Sequence, residues 1–331
     1  MEKITIPLFI INFNRLTLLK KQLDFFRTIK DVHLQIVIID NCSSYPPLLE
    51  FYNNKFDMNN QLPIHNGFGN YYESDDNIIL FKSNDNKVQC APWTTGVVQS
   101  FIYDNWIDSY QRYFDRGAQC CNKGWCGIEL LKETDDWHMK SFNKIHRCDV
   151  CTEAWKDMKI KHKYYIVTDS DLSFDNMPID FISKYVTVLE EKSELSKVGP
   201  GFPTHDIPDW YPLKNQIKQH ENTMYRESVS TSTGLKLHRS GIDTTFALYR
   251  SDNINTLHPN REPVVVTSNM TGVSIGCAAR SLGKYVCKHM PWYLNPLEDD
   301  EENYYLRHCG GGWTASQLHN MKEYMNKVKE K

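Results

Sequence analysis

Three stretches of almost continuous apolar residues, separated by helical patterns, constrain the fold of this chain more than any other feature. They cover residues 4–13, 34–39 and 78–81. A strand that is apolar on both sides is typical of a parallel sheet covered by helices on both faces. We therefore predict an α/β fold with a mixed, mainly parallel, twisted sheet flanked by helices.

Apolar residues at helical spacing lie between these stretches. Residues 16–26 carry them every three or four positions, with Asn14 as a candidate N-cap, and prolines 46 and 47 open a second helix. Residues 54–76 are polar and rich in Asn and Gly, which predicts a loop. The order strand, helix, strand, helix, strand places parallel strands side by side.

The remainder of the chain alternates in the same way. A helical stripe over 97–114 leads to a cysteine-rich insertion at about 115–160, and an apolar strand follows at 164–167. A helix is predicted after Pro178, another after the capping box Thr314-x-x-Gln317, and further strands at 198–202, 244–249 and 264–267. We expect one domain over 1–331, with a first half up to about 175 that contains the insertion and a second half from about 176.

Composition narrows the class of protein. Hydrophobic residues make up 40% of the 331 and charged residues 24%, which is typical of a globular protein. A net charge of -3 gives no sign of a nucleic-acid partner, and no apolar run approaches the ~18 residues of a membrane span. Because no export signal opens the sequence, we expect a cytoplasmic protein whose ten cysteines are thiols or metal ligands rather than disulfides.

Polar side chains follow the predicted strands at the points where these end. They are Asn12, Asn14, Arg15, Asp40, Asn41, Ser83 and Asn84. Ligands of open α/β sheets bind beyond the carboxyl ends of the strands. We expect these side chains to face one crevice at that edge of the sheet.

The motif Asp169-Ser170-Asp171 directly follows the strand at 164–167. Two carboxylates at a strand end offer hard oxygen ligands, which suit Mn²⁺ or Mg²⁺. Such an ion bridges the two phosphates of a nucleotide-sugar and stabilises the charge on the leaving diphosphate. The alternative is that Asp171 and Ser173 cap the next helix.

The order of three motifs resembles the GT-A nucleotide-sugar glycosyltransferases, especially the family 2-like group. The motifs are the residues 9–15, Phe-Ile-Ile-Asn-Phe-Asn-Arg, the residues 38–41, Ile-Ile-Asp-Asn, and the residues 168–171, Thr-Asp-Ser-Asp. The resemblance covers roughly residues 4–110 and 163–295, and the insertion has no counterpart in it. It implies a GT-A fold in which Asn12, Arg15 and Asp40 hold the base and ribose of the donor. On this resemblance the half up to about 175 binds the nucleotide and the half from about 176 binds the acceptor.

The resemblance also implies roles for residues nearer the metal and along the donor. Asp171 is the expected direct metal ligand, with Asp169 nearer the ribose or held through water, and His289 is the expected further ligand, ahead of His308. The stretch from 84 to 96 is a loose counterpart of an Asn-x-Gly-Pro-like segment of the family. The remaining candidates for the donor site are Asn14, Asn84, Trp93 and Ser170.

An inverting transferase needs a carboxylate that deprotonates the acceptor hydroxyl, whereas a retaining enzyme need not have one there. Asp243, at the mouth of a predicted strand, is the first candidate and Asp206 the second, with Asp209 close by. Ordinary turn chemistry is the alternative for each. The candidates for stacking on sugar rings are Trp210, Trp292 and Tyr293, for which core packing is the alternative.

Two further features have both a functional and a plain interpretation. Structural Zn²⁺ is one interpretation of the insertion, since Cys148-x-x-Cys151 has zinc-knuckle spacing, and unpaired thiols are the other. The remaining candidate ligands there are Cys120, Cys121, Cys126 and His146. The glycines 310–312 suit either a lid over the diphosphate or a simple connector.

These observations together predict a metal-dependent glycosyltransferase that moves a sugar from a nucleotide-diphosphate sugar, a UDP-sugar first, to a glycan or other hydroxyl acceptor. Sugar nucleotidyltransferases need a glycine-rich phosphate loop after the first strand, and the first glycine here is Gly67. A non-catalytic carbohydrate-binding protein on the same fold stays open, because a fold does not fix a function.

Overall fold

The computed structural model describes residues 3–62, 69–84, 86, 91–104, 159–225, 227–242, 245–251, 278–309 and 315–329. The strands, in chain order, are β1 (Thr5–Asn12), β2 (His33–Asp40), β3 (Gly69–Glu73), β4 (Ile79–Ser83), β5 (Tyr103–Asp104), β6 (Lys159–Ile160), β7 (Tyr164–Asp169), β8 (Leu172–Ser173), β9 (Lys197–Gly201), β10 (Ser228–Val229), β11 (Leu237–Arg239), β12 (Phe246–Arg250), β13 (Ala278–Val286) and β14 (Lys288–His289). The helices are α1 (Thr17–Thr28), α2 (Pro46–Lys55), α3 (Ala91–Thr94), α4 (Val97–Ile102), α5 (Phe181–Glu191), α6 (Lys214–Met224), α7 (Asp300–His308) and α8 (Ala315–Lys329).

The main sheet has ten strands in the order β10-β11-β13-β9-β12-β7-β1-β2-β4-β3. Strands β4, β2, β1 and β7 are parallel neighbours at its centre. Strand β12 runs antiparallel between β7 and β9, so that β9 and β13 point in the same direction as the central four. The predicted class, a mixed and mainly parallel sheet flanked by helices, is confirmed.

Alternate side chains of β1 enter two cores on opposite faces of the sheet. Ile6, Leu8 and Ile10 pack in the larger core, to which α1 and α5 contribute. Phe9 and Ile11 pack in the second core, which α3 and α4 cover. Because both faces are covered by helices, the central strands are apolar on both sides.

Two predicted elements differ from the structure for identifiable reasons. The polar stretch at 54–76 was expected to be a loop, yet it contains β3, an edge strand in which Tyr71 alone is fully buried. An edge strand with one buried side chain lacks the alternation that identifies a strand in a sequence. The helical stripe predicted over 97–114 ends at Ile102, where the chain turns into β5.

The predicted cap of α1 is also wrong. The helix begins at Thr17 with Leu16 at the N-cap position. Asn14 instead has a φ of 54° in the left-handed region, and its Oδ1 accepts hydrogen bonds from the backbone N–H groups of Ser44 at 2.7 Å and Tyr45 at 2.9 Å. Asparagine tolerates this backbone conformation better than most residues, so Asn14 joins two loops rather than starting a helix.

The predicted strand at 264–267 and the cysteine-rich insertion lie almost wholly outside the described residues. The other predicted strands and helices are present within a few residues of the expected bounds, and the last helix buries Met321 and Met325 as its spacing predicts. Among the residues described, no helix combines the length and the apolar character needed to cross a bilayer.

Replacing Ile10 by alanine tests whether the centre of β1 carries the core. Ile10 is 0% exposed, so we expect Ile10→Ala to lower the free energy of unfolding by about 2–5 kcal/mol, as measured by urea denaturation. Ile179, which is 53% exposed, is the matched control, and Ile179→Ala should change stability by less than about 0.5 kcal/mol. Equal effects of the two substitutions would contradict this assignment of the core.

Candidate active site

Three predicted site residues stand at the carboxyl ends of adjacent central strands. Asn12 closes β1 and pairs in register with Asp40, which closes β2. On the other side of β1, Ile11 pairs with Asp169, which closes β7. Because the strands are parallel, the polar residues that follow them share one edge of the sheet.

Backbone hydrogen bonds fix the turn that contains Asp169, Ser170 and Asp171. The N–H of Asp169 donates to the carbonyl of Thr245 at 2.9 Å, and the N–H of Ser170 donates to the carbonyl of Ile11 at 2.9 Å. From α1, the buried amide of Gln22 donates to the carbonyls of Asp169 at 2.8 Å and of Leu172 at 3.1 Å. The carboxylates are therefore presented by a backbone that is held from both neighbouring strands and from α1.

The alternative role for this turn, capping of the next helix, is not what the structure shows. Helix α5 has Asp180 at its N-cap position. Ser173 instead donates its hydroxyl to the Asp175 carboxylate at 2.7 Å within a local turn. Neither Asp171 nor Ser173 is placed at the start of a helix.

A short antiparallel pair, β8 with β14, brings His289 beside Asp171. Leu172 pairs with His289, and the N–H of Met290 donates to the carbonyl of Asp171 at 2.9 Å. The distance between His289 Nε2 and Asp171 Oδ1 is 3.6 Å. Asp171 Oδ1 and His289 Nδ1 are buried and have no hydrogen-bond partner among the described residues.

This pair of donors fits a divalent cation that also binds phosphate. Mn²⁺ and Mg²⁺ sites at phosphates commonly use one or two carboxylates, with water and phosphate oxygens at the remaining positions, and imidazole is a common transition-metal ligand. The described part of the chain has no cluster of three or more metal-binding side chains.

The polar residues at and just after the ends of β1 and β2 are buried, and hydrogen bonds connect them to the loop after β2 and to α2. The amide of Asn12 donates to the Tyr52 hydroxyl at 2.9 Å, and Asp40 Oδ2 accepts from the N–H of Ser43 at 3.3 Å. The N–H of Asn14 donates to Ser43 Oγ at 2.9 Å. Burial raises the pKa of Asp40, although hydrogen bonds from Ser43 oppose that shift.

Arg15 makes a contact that its sequence position does not reveal. It is 1% exposed and forms an ion pair through Nη1 with Glu302 of α7, and its guanidinium carbon lies 3.8 Å from the centre of the Tyr305 ring. Burial alone would lower the pKa of Arg15, but the charge and hydrogen bond of Glu302, with smaller contributions from Tyr305 and then from the charge of Asp171, raise it above its usual range. The guanidinium is therefore a fixed positive charge close to the Asp171 turn.

Side chains of α7 form hydrogen bonds with Thr17, after the loop that follows β1, and with Ser44, in the loop that follows β2. The Glu301 carboxylate accepts from the N–H of Thr17, the first residue of α1, at 3.0 Å and from its hydroxyl at 3.2 Å. Tyr304 donates its hydroxyl to the carbonyl of Ser44 at 3.0 Å and packs on the Tyr45 ring. In the sequence, the start of this helix is recognisable only as part of an acidic run over 298–302.

A sequence signal for α7 did exist. Asp299 Oδ1 accepts from the N–H of Glu302 at 2.8 Å, which is the N-terminal half of a capping box with Asp299-x-x-Glu302 spacing. No local pattern identifies the partner of Glu302.

The candidate bases have different positions. Asp206 accepts hydrogen bonds from Lys288 and, at 2.8 Å, from the Tyr293 hydroxyl. Burial raises the pKa of Asp206, but these hydrogen bonds outweigh it and bring the pKa below the usual value. Asp209 is exposed and paired with Lys214 at 2.6 Å. Asp243 lies outside the described residues.

The other candidates for the donor site are less well defined. Asn84 is exposed just beyond β4, and Ser170 is buried in its turn. Trp93 belongs to α3, but its side chain lies outside the described part. The six candidate zinc ligands of the insertion and the glycines 310–312 lie outside it as well.

The aromatic candidates pack against other rings. Trp292 is 7% exposed, with its ring centre 5.0 Å from that of His289, so it supports the histidine by packing. Trp210 is half-buried and stacks on Tyr324 at 6.2 Å between ring centres. His308 stacks on Tyr304 at 3.9 Å.

Among known proteins, the chain aligns at low similarity with several solved structures. No protein-family model and no curated protein matches the chain. The mannosyltransferase PcManGT from Pyrobaculum calidifontis, solved in complex with GDP-Man and Mn²⁺, aligns with a TM-score of 0.39 and 10% identity over 99% of this chain and 76% of that chain. Residues 1–349 of TarS from S. aureus align with a TM-score of 0.36 and 10% identity over 99% and 72%. TarS 1–349 in complex with UDP-GlcNAc aligns with a TM-score of 0.36 and 9% identity over 99% and 73%. TM-scores and identities this low support no inference about activity, which has to come from the site itself.

Removing the carboxylate of Glu302 should destabilise the protein strongly. Glu302→Ala leaves the guanidinium of Arg15 buried and unpaired, and breaking a buried ion pair in this way costs about 3–5 kcal/mol. Glu298→Ala, at an exposed position just before α7, is the control and should change stability by less than about 0.5 kcal/mol. Urea denaturation of both variants measures the difference, and similar small effects would show that the pair does not hold α7 in place.

Proposed function

We propose that this chain is a metal-dependent glycosyltransferase that moves a sugar from a nucleotide-diphosphate sugar, a UDP-sugar first, to a glycan or other hydroxyl acceptor. The observation that carries the proposal is the 3.6 Å approach of His289 Nε2 to Asp171 Oδ1 at the carboxyl edge of the sheet. Buried polar groups from the ends of β1 and β2 line the same edge. A carboxylate and an imidazole held together beside such groups are suited to a cation that carries a diphosphate.

A Mn²⁺ or Mg²⁺ ion held by Asp171 and His289 would neutralise the negative charge that grows on the diphosphate as the sugar bond breaks. The protein's part is to hold these two ligands at a fixed separation. Gln22 and the strand neighbours of Asp169 do so through the backbone of the turn. Asp169, two residues earlier, is assigned to the ribose or to a water in the metal shell.

The nucleoside is assigned to the ends of β1 and β2. Asn12 and Asp40 end adjacent strands, and one oxygen of each, Oδ1 in both cases, has no hydrogen-bond partner among the described residues. Oxygens that lack donors suit the N–H groups of a base and the hydroxyls of a ribose. Asn14 keeps the two loops in register with each other. Arg15, Asn84, Trp93 and Ser170 complete the proposed donor site.

The base for an inverting reaction is assigned to Asp243 ahead of Asp206. General base catalysis is most effective when the pKa of the base lies near the operating pH. Asp206 is held in its ionised form by Lys288 and Tyr293, and its pKa is lowered as a result. It is therefore a weak proton acceptor, and its position on Lys288 and Tyr293 suits contact with the acceptor instead.

A thermal-shift screen of UDP-, GDP- and CMP-sugars tests donor binding. A ligand that binds only the folded protein stabilises it by about 2.7 kcal/mol at a concentration of 100 Kd. We expect one nucleotide-sugar class to raise the melting temperature with Mn²⁺ present and to lose most of that effect in EDTA. Stabilisation by free glycans that needs neither metal nor nucleotide would support a carbohydrate-binding protein instead.

Single substitutions locate the metal. Asp171→Asn and His289→Ala should each remove most of the Mn²⁺-dependent shift, because each deletes one of the two proposed protein ligands. Asp175→Asn is the matched control, since Asp175 is an exposed aspartate four positions further on whose hydrogen bonds to other described residues lie within its own turn. A shift that survives Asp171→Asn unchanged would contradict the proposed site.

A further inference from the structure

A buried ion pair between Arg15 and Glu302 follows the strand ends that carry the proposed metal ligands, and the function proposed above assigns no role to its carboxylate, Glu302. Arg15 and Glu302 are each 1% exposed and form an ion pair between the loop after β1 and helix α7. Arg15 is three residues beyond the end of β1, and Asp171 is two residues beyond the end of β7, the parallel neighbour of β1. The ion pair and the proposed metal ligands therefore follow adjacent strand ends.

The pair is not fully satisfied by its own hydrogen bond. Nε and Nη2 of Arg15 and Oε1 of Glu302 are buried without a hydrogen-bond partner among the described residues. The charge of Asp171 also acts on Arg15, contributing to the rise in its pKa. Burial raises the pKa of Glu302, Arg15 lowers it and Asp171 raises it further, so the charges of the three residues are coupled.

The consequence concerns the binding of a dication. An unpaired guanidinium on the loop after β1 would repel a divalent ion at the Asp171 turn, and at an effective dielectric constant of about 20 a full charge ~10 Å from a dication changes ion affinity by more than tenfold. Glu302 cancels that charge. It is held in place from its own side, because the Asp299 side chain that caps α7 accepts a hydrogen bond from the N–H of Glu302 at 2.8 Å.

We propose that Glu302 is a positioning residue of the metal site, which neutralises and fixes Arg15 so that Asp171 and His289 can accept a divalent cation. This inference rests on the proposed function, because it needs the cation at Asp171. It assigns to α7, far along the chain from the Asp169–Asp171 turn, control over the charge of that turn. Helix α7 would thus set metal affinity without supplying a ligand.

The test is a titration of each purified full-length variant with Mn²⁺ alone at pH 8, in which free Mn²⁺ is measured by electron paramagnetic resonance. We expect E302Q to bind Mn²⁺ at least about tenfold more weakly than the wild type. E302D keeps the charge and should stay within about threefold. E301Q is the matched control, because it loses the contact to Thr17 without unpairing Arg15, and should also stay within about threefold.

Removing both charges distinguishes electrostatics from simple damage to the fold. R15Q/E302Q should recover Mn²⁺ affinity to within about fivefold of the wild type, although it lacks the whole ion pair. R15Q alone should bind Mn²⁺ at least about tenfold more tightly than R15Q/E302Q, because it leaves the carboxylate uncompensated. That comparison keeps the test decisive should E302Q fail to fold.

The possible outcomes distinguish a failure of the proposed metal site from a failure of the proposed role of Glu302. Suppose that the wild type binds Mn²⁺ and that Asp171→Asn does not. Unchanged affinity in E302Q, or equal affinity in R15Q and R15Q/E302Q, would then overturn the role of Glu302 but not the metal site. Wild-type and Asp171→Asn proteins that bind Mn²⁺ equally overturn the metal site, and the role of Glu302 with it. If E302Q and R15Q/E302Q lose Mn²⁺ affinity to the same extent, the loss is a structural effect, and the inference is overturned as well.

Discussion

The parallel register of β2, β1 and β7 is the constraint on which the candidate site depends. It sets Asn12 opposite Asp40 and Ile11 opposite Asp169, so that the chain leaves three adjacent strands at the same edge. The apolar residues of these strands fill cores on both faces, and this burial is what holds the register. A slip of one residue in β7 would move Asp171 away from β1 and turn its apolar side chains to the wrong faces.

The site is completed by the distant C-terminal part of the described chain. Strand β14 places His289 beside Asp171, and α7 pairs Glu302 with Arg15 across 287 positions of sequence. The Trp292 ring packs on His289 between these two contacts. The proposed metal ligands, the loops after β1 and β2, and α7 therefore form one connected structure, and the role proposed for Glu302 would let a change in α7 act on Asp171 through charge as well as through packing.

The sequence predicts what is local and misses what is distant. Asp169 and Asp171 could be placed because an uninterrupted apolar run precedes them, and the sheet class followed from three such runs. The role of Asn14 could not, because its partners Ser44 and Tyr45 lie 30 and 31 positions away. The same holds for Glu302, whose acidic neighbourhood is typical of a solvated surface, although its own side chain is 1% exposed. Strand β3 was missed because an edge strand of mostly half-buried residues carries no apolar alternation.

The most direct measurement of the central claim is nucleotide-sugar hydrolysis in the absence of an acceptor, followed by release of the free nucleotide. The account predicts slow turnover of one UDP-, GDP- or CMP-sugar that needs Mn²⁺ or Mg²⁺, with a loss of at least about a hundredfold in Asp171→Ala, since the metal supplies several kcal/mol of charge stabilisation. The absence of metal-dependent turnover with all three classes, or turnover that Asp171→Ala leaves unchanged, would contradict it.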